Sequence, residues 1–454
     1  MSSKLQSITP DETARGVWLP RWEPENPEFW ETTGKPIAWR TLWVTTANLI
    51  MAFIVWFVVS ALVVRLPGVG FKLTTTQLFW LAAMPGLAGG TLRILHTFLV
   101  PLFGTRTVVA VSTLSLLLPL VGWFYAIQDP ATPYWILMLL AFFAGLGGGN
   151  FSSFMPSTSL FFPKRLQGTA LAIQAGIGNF GVSVVQFVTP WIIGLALFGA
   201  LAGDPQVFTK GAAKSPIWLQ NALLVYVPFV VVFAVIAWFT LRSVPVRANF
   251  REQLDIFKLK HGFFMTTLYV MTFGSFSGFA ATFPLLIKQL YGDLPGAPDP
   301  LTYAFLGPLV GSIARVVAGP ISDKFGGAKV THWAGIGMLV CVIALTFTMH
   351  PTSVGEFPIF LGLMLGLFTF AGAGNASTFK QMPMLFQTRQ AASIIGWTSA
   401  IAAYGPFATG LMMGLSISYF GTPVAFFYWA AIYYAANIAI NWALYAREGA
   451  EAPC

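Results

Sequence analysis

Arg93 and Arg315 stand inside long apolar stretches, where a permanently charged side chain is out of place. At bilayer depth an arginine costs about 2.5–3.5 kcal/mol on insertion scales, so each must find a partner. A buried ion pair would be one answer. However, all sixteen Asp and Glu residues fall in polar tails, loops or linkers. Backbone carbonyls or an anion from outside the chain remain. A guanidinium is planar and presents paired N–H donors, which match a flat oxyanion in bidentate fashion. The chemistry within reach of these residues is therefore reversible capture of a small planar anion.

The two arginines hold equivalent places in a repeat. Arg93 lies 11 residues before Gly104 of FGTRT, and Arg315 lies 11 before Gly326 of FGGAK. The glycine runs AGLGGGN (Ala144–Asn150) and AGAGN (Ala371–Asn375) end in asparagines 225 apart, against 222 for the arginines. A third stretch, Gly168–Pro190, places Gly176, Gly178 and Gly181 around Asn179, with Gln174 and Gln186 on either side. A glycine costs a helix about 1 kcal/mol relative to alanine in water. In a membrane it lets another backbone or a small ligand approach, and amides at that depth need partners. Close helix packing would account for the glycines equally well.

The elements that position these residues follow from composition. Of 454 residues, 56% are hydrophobic and 9% are charged, against about 25% charged in soluble domains. The chain reads as an all-α membrane protein embedded in a lipid bilayer. Stretches of spanning length, about 20 residues, fall near 41–65, 75–100, 106–126, 133–157, 168–200 and 217–241. A second six fall near 260–290, 301–320, 330–349, 357–379, 391–418 and 424–446. The expected organisation is an N-terminal cytoplasmic segment (1–40), a six-helix half (41–242), a cytoplasmic linker (243–258), a second six-helix half (259–446) and a cytoplasmic tail (447–454). With both termini in the cytoplasm, 18 of the 25 Lys and Arg lie inside. Five lie outside (Arg65, Lys72, Lys210, Lys214, Lys288), as the positive-inside rule requires. The net charge of +9 is thus mostly topology, and no nucleic acid partner is expected. Two cysteines give neither a disulfide framework nor a metal site. The polar first forty residues lack the apolar core of a cleavable signal. Four scattered histidines do not supply paired haem ligation. No cofactor, no metal and no enzymatic activity are expected.

Taken together, the glycine runs, the segment WEPENPEFW (Trp22–Trp30) and the loop SDKFGGAK (Ser322–Lys329) resemble the nitrate/nitrite porter branch of the major facilitator superfamily. The likeness runs from Trp22 to the last helix. It implies twelve transmembrane helices in two six-helix halves related by pseudo-two-fold symmetry, with the site at the midplane between them. It also implies nitrate and nitrite as ligands and a bacterial cytoplasmic (inner) membrane as the location. In that family two arginines, one per half, hold the anion, and they match Arg93 and Arg315. Phe53, Phe151, Tyr269 and Phe273 match its aromatic walls, and Asn179 and Ser399 its polar contacts. Gly147, Gly149, Gly176, Gly178, Gly181, Gly372 and Gly374 match its gating and packing glycines. With 15% of the chain aromatic, ordinary packing remains open for each ring.

Some residues depart from the pattern. His96 stands where relatives carry tyrosine, and reads either as a protonatable group or as a neutral interior histidine. Gln174 replaces an expected asparagine. The GTRT turn lacks the aspartate of SDKFGGAK, which in the superfamily helps cap helix ends. Lys380 is expected to snorkel. His261, His332 and His350 read as interfacial, and WEPENPEFW as a lid or an interface helix. The resulting expectation is a monomeric antiporter that exchanges nitrate for nitrite. Proton-coupled nitrate symport is the alternative, with a channel or an organic-anion exchanger behind it.

Overall fold

In the computed structural model, residues 17–244, 258–386 and 388–454 are described. Among them, twelve helices are long and apolar enough to cross a membrane. The first half begins with α1 (Pro27–Leu62). Next, α2 and α3 share the helical run Thr75–Leu114, broken at Gly104, and α3 continues through Leu117–Ala126. It closes with α4 (Tyr134–Ser159), α5 (Lys164–Ile192) and α6 (Asn221–Thr240). The second half comprises α7 (Lys260–Tyr291), α8 (Pro300–Phe325), α9 (Gly327–Thr346), α10 (Val354–Leu385), α11 (Ile394–Phe420) and α12 (Val424–Ala446).

The repeat noticed in the sequence has a backbone cause. Gly104 and Gly326 both turn the chain with positive φ, +76° and +92°, a conformation that a Cβ disfavours. The loops carrying these glycines are tied down differently. In the last turn of α8, Asp323 pairs with Lys380 near the end of α10, and both side chains are exposed. After α2, where the aspartate is missing, Ser243 Oγ accepts from the Arg106 amide at 3.3 Å, and the Arg106 guanidinium covers Trp238 at 4.4 Å.

Three boundaries differ from the sequence expectation. First, α1 starts at Pro27 and not near 41. The Asn26 side chain accepts from the amides of Glu28 and Phe29, and Pro27 occupies the first helical position. WEPENPEFW is therefore a strap that leads into α1. Along it Trp22 Nε1 donates to Leu160 O at 3.1 Å, and Glu25 accepts from the Lys164 amide at 2.8 Å. Second, α5 ends at Ile192, short of 200. Third, an antiparallel hairpin, β1 (Gln206–Lys210) and β2 (Ala213–Ile217), precedes α6. Most of the expected linker 243–258, like residues 1–16, lies outside the described residues.

The halves meet along α1, α2 and α5 on one side and α7, α8 and α11 on the other. Gln186 of α5 donates to Ala280 O of α7 at 2.8 Å, and Thr91 of α2 bonds Tyr404 before the second part of α11 at 2.8 Å. At the end away from the termini, Arg65 bonds both Asp299 oxygens, at 2.8 and 2.6 Å.

Candidate functional site

Arg93 projects from α2 into this interface and is fully buried; Arg315 of α8 is 6% exposed. Among the described residues neither is paired with a carboxylate. Arg93 is partly anchored by carbonyls. Its Nε donates to Gly148 O at 2.9 Å and its Nη1 to Ser399 O at 2.7 Å. Nη2 of Arg93 and Nη1 of Arg315 are buried without hydrogen-bond partners. A buried donor left unpaired costs about 1–3 kcal/mol, more when it is charged. Each half thus presents one unsatisfied cationic donor, and the two cations act on each other and on the Tyr269 hydroxyl.

Of the expected polar contacts, Ser399 and Tyr269 lie against the arginines. Both amide atoms of Asn179, the Ser399 Oγ and the Tyr269 Oη are buried without a hydrogen bond of good geometry. Ser399 also plays a part that its side chain did not foretell, because its carbonyl holds Arg93. Gln174 is a packing residue. It donates to Thr45 Oγ1 and Phe154 O, which joins α5 to α1 and α4.

Aromatic rings enclose the arginines. The Arg93 guanidinium lies 4.5 Å from the Phe151 ring centre, 5.4 Å from Phe273 and 5.2 Å from Trp56. Phe53 stands edge-on to Phe151 at 6.2 Å. Tyr269 and Phe273 stack at 5.4 Å with planes 7° apart. Arg315 faces Phe379 at 5.6 Å, and Phe379 touches Tyr269 at 5.0 Å. Sequence reasoning missed Trp56 and Phe379. Helical spacing could have found both, because Trp56 lies three residues after Phe53 and Phe379 four after Asn375. It also missed the π-helical turn Val270–Gly274, which carries Phe273 within α7; such turns recur at functional sites.

The glycines lie where helices approach. A Cβ on Gly181 would sit 2.6 Å from Ile50 O, and one on Gly178 2.7 Å from Leu49 Cδ2, both on α1. Gly176 faces Val316 of α8 across the interface, at 2.8 Å. Gly147 packs on Ala52 O, Gly149 on Leu92 and His96, Gly372 on Gly311 O and Gly374 on Thr272. His96 is buried, and its Nδ1 shares a 3.0 Å hydrogen bond with Ser153 Oγ. A separate cleft of about 340 Å³, between the α8–α9 turn and the C-terminal tail, is lined by none of these residues.

The family model described as Major Facilitator Superfamily matches residues 44–379. A Thermus thermophilus protein called probable nitrate/nitrite antiporter NarK2 is 62% identical over 443 residues, covering 97% of this chain and 99% of its own. The nitrate/nitrite transporter NarU of Salmonella typhimurium is 39% identical, with 95% and 96% covered; NarU of Escherichia coli is 38% identical, with 94% and 96% covered. Among solved structures, a D-xylose–proton symporter superposes with a TM-score of 0.66 over 89% of this chain and 97% of its own, at 14% identity. A bacterial homologue of the lysosomal transporter Spinster gives 0.63 over 90% and 93%, at 15%. Those two likenesses concern the fold alone.

Proposed function

The chain belongs to the nitrate/nitrite porter family of the major facilitator superfamily, and from that premise we propose that it exchanges nitrate for nitrite by alternating access. Arg93 and Arg315 hold the anion between the halves. The observation that supports this most directly is the pair of buried, unpartnered guanidinium donors, one per half, with no carboxylate on either among the described residues. A flat anion would satisfy both, while Asn179, Tyr269 and Ser399 offer further hydrogen bonds and Phe53, Phe151 and Phe273 fix its plane.

Coupling follows from charge. With the site empty, two like charges face each other; at an assumed separation of about 10 Å and an effective dielectric of about 20, their repulsion is about 1–2 kcal/mol. Drawing the halves together raises that penalty. A bound monoanion lowers the local charge from +2 to +1 and attracts both halves, so the loaded carrier changes face readily and the empty one hesitates. One anion then leaves for each that enters, with no net charge moved. Proton symport needs a group that titrates with loading, and among the described residues no carboxylate pairs with either arginine to supply it. The protein works in a bacterial cytoplasmic membrane with both termini inside, which the distribution of Lys and Arg supports.

Reconstituted protein tests this. Nitrate outside, no internal anion and an inward proton gradient should give no concentrative uptake, and internal nitrite should restore it. Concentrative uptake without internal anion, lost in His96→Gln, would establish symport. Ion current with nitrate as the sole permeant ion would establish a channel.

A further inference from the structure

At the end away from the termini, three cationic side chains cross between the halves. Arg65, which follows α1, bonds both oxygens of Asp299 in the second half. Lys288 of α7 reaches the other way and donates to Val64 O at 2.8 Å. Exposed Lys210 of β1 donates to Ala297 O at 3.4 Å. Arg65 and Lys288 repel each other across the seam, and Asp293, in the same half as Lys288, attracts that lysine. The groups around Arg65 also have partners within their own halves. Asp299 Oδ1 accepts from the Leu301 amide at 3.0 Å, as the N-cap at the start of α8. Lys288 has Asp293. For Arg65, whose Nε is buried without a hydrogen-bond partner, the own-half partner is a ring. Its guanidinium lies 5.3 Å from the centre of Phe208 on β1, and Phe208 is seated on Gly68. The hairpin is fixed to this half, because the Gln206 side chain accepts from the Leu219 amide at 3.0 Å and donates to Gln220 Oε1 at 2.8 Å.

When the halves part at this end, Asp299, Lys288 and Asp293 leave together, and Arg65 stays behind with Phe208. We propose that Phe208 is a positioning residue of this gate, which holds the Arg65 cation once its carboxylate has gone and so makes opening easier. A ring face attracts a lone cation more than one already neutralised by a carboxylate, because the same face repels the carboxylate. The ring contact is therefore stronger in the open state than in the closed one. The packing of Phe208 on Gly68 lies within one half, is present in both states and cancels between them. Parting also relieves the repulsion between Arg65 and Lys288. The proposal rests on the alternating access proposed above.

The test follows gate opening by the labelling rate of one reporter thiol. Ser60 of α1, between Phe53 and Arg65 in the chain, is 2% exposed and accepts from Gln186 at 3.0 Å. In a Cys341→Ala, Cys454→Ala background, Ser60→Cys is treated with a membrane-impermeant maleimide, in vesicles that present the Arg65 face. Asp299→Asn keeps a good N-cap and removes the charge that holds Arg65, so it should raise the rate. Phe208→Leu should lower it about two- to fivefold, the range of a cation–π contact at an exposed site. Phe208→Tyr keeps a ring and should restore it. Beside Arg65→Gln, Phe208→Leu should change nothing, because no cation is left for the ring to hold. An unchanged or higher rate in Phe208→Leu overturns the proposal, and so does a fall that persists beside Arg65→Gln. If the thiol stays unlabelled even in Asp299→Asn, the halves do not part at this end, and alternating access falls together with the proposal. The other failures, seen beside a labelled Asp299→Asn protein, overturn the proposal alone.

Discussion

Arg93 Nη1 donates to the backbone carbonyl of Ser399 at 2.7 Å, so a side chain of α2 holds the main chain of α11 across the two halves. Carbonyl anchoring and anion binding therefore do not exclude each other at this arginine. The carbonyls of Gly148 and Ser399 occupy Nε and Nη1 and fix the plane of the fork, while Nη2 is left to a ligand. On Arg315, Nη1 is unpartnered.

The two arginines should accordingly respond differently to lysine. Either substitution keeps the charge and loses the planar fork. Nitrate–nitrite counterflow should fall at least about tenfold in each, on the scale of one charged hydrogen bond. Arg93→Lys should also lower the melting temperature in detergent, because two carbonyls lose their donors, and Arg315→Lys should lower it less. Near-normal counterflow in either variant would end the bidentate account.

Phe151 is the ring nearest the Arg93 guanidinium. Phe151→Ala should raise KM for nitrate about two- to thirtyfold, the range of a cation–π contact, with normal amounts of protein in the membrane. Excess sulfate, tetrahedral and doubly charged, should not compete with nitrite. Competition at equal concentrations would remove the case for a flat site.

Two neighbouring glycines should separate stability from turnover. Gly178→Leu strikes Leu49 within the first half, where overpacking costs about 1–3 kcal/mol, and should lower the melting temperature. Gly176→Leu meets Val316 of the other half. It should slow exchange with a smaller change in melting. Equal melting losses would show that both glycines merely pack.

The C-terminal tail can be followed through its thiol. Ala328 donates its amide to Cys454 O at 3.0 Å, and burial pushes the Cys454 thiol up to about 12. A raised value leaves less thiolate at any pH below it, and the thiolate is the nucleophile. In a Cys341→Ala background, maleimide at pH 8 should label the native protein far more slowly than the denatured one, on the order of a thousandfold. Comparable rates would mean that the tail is undocked.

Hydropathy made the twelve spans legible, and the spacing of Arg93 and Arg315 from Gly104 and Gly326 made the repeat legible, because both depend on residue type alone. The strap before α1 was harder to read, since its bonds run from Trp22 and Glu25 to the main chain near α5. The Ser399 carbonyl was invisible for the same reason: every residue carries one. The hairpin at Gln206–Ile217 went unread because its strands are mostly exposed and lack an apolar face. Trp56 and Phe379 were hidden among many rings, and only their helical spacing from Phe53 and Asn375 set them apart.

The π-helical turn at Val270–Gly274 means that α7 is two cylinders joined out of phase. An α-helix advances about 100° per residue, and a π turn holds one residue more than an α turn, so Ser275–Tyr291 is rotated relative to the continuation of Lys260–Tyr269. The lower cylinder can point Tyr269 at the arginines while the upper one sets Ala280 against Gln186 of α5. Neither orientation dictates the other. A helical wheel drawn through the whole span would blur two stripes into one, and the face that meets the ligand is free to diverge in sequence from the face that seals the halves.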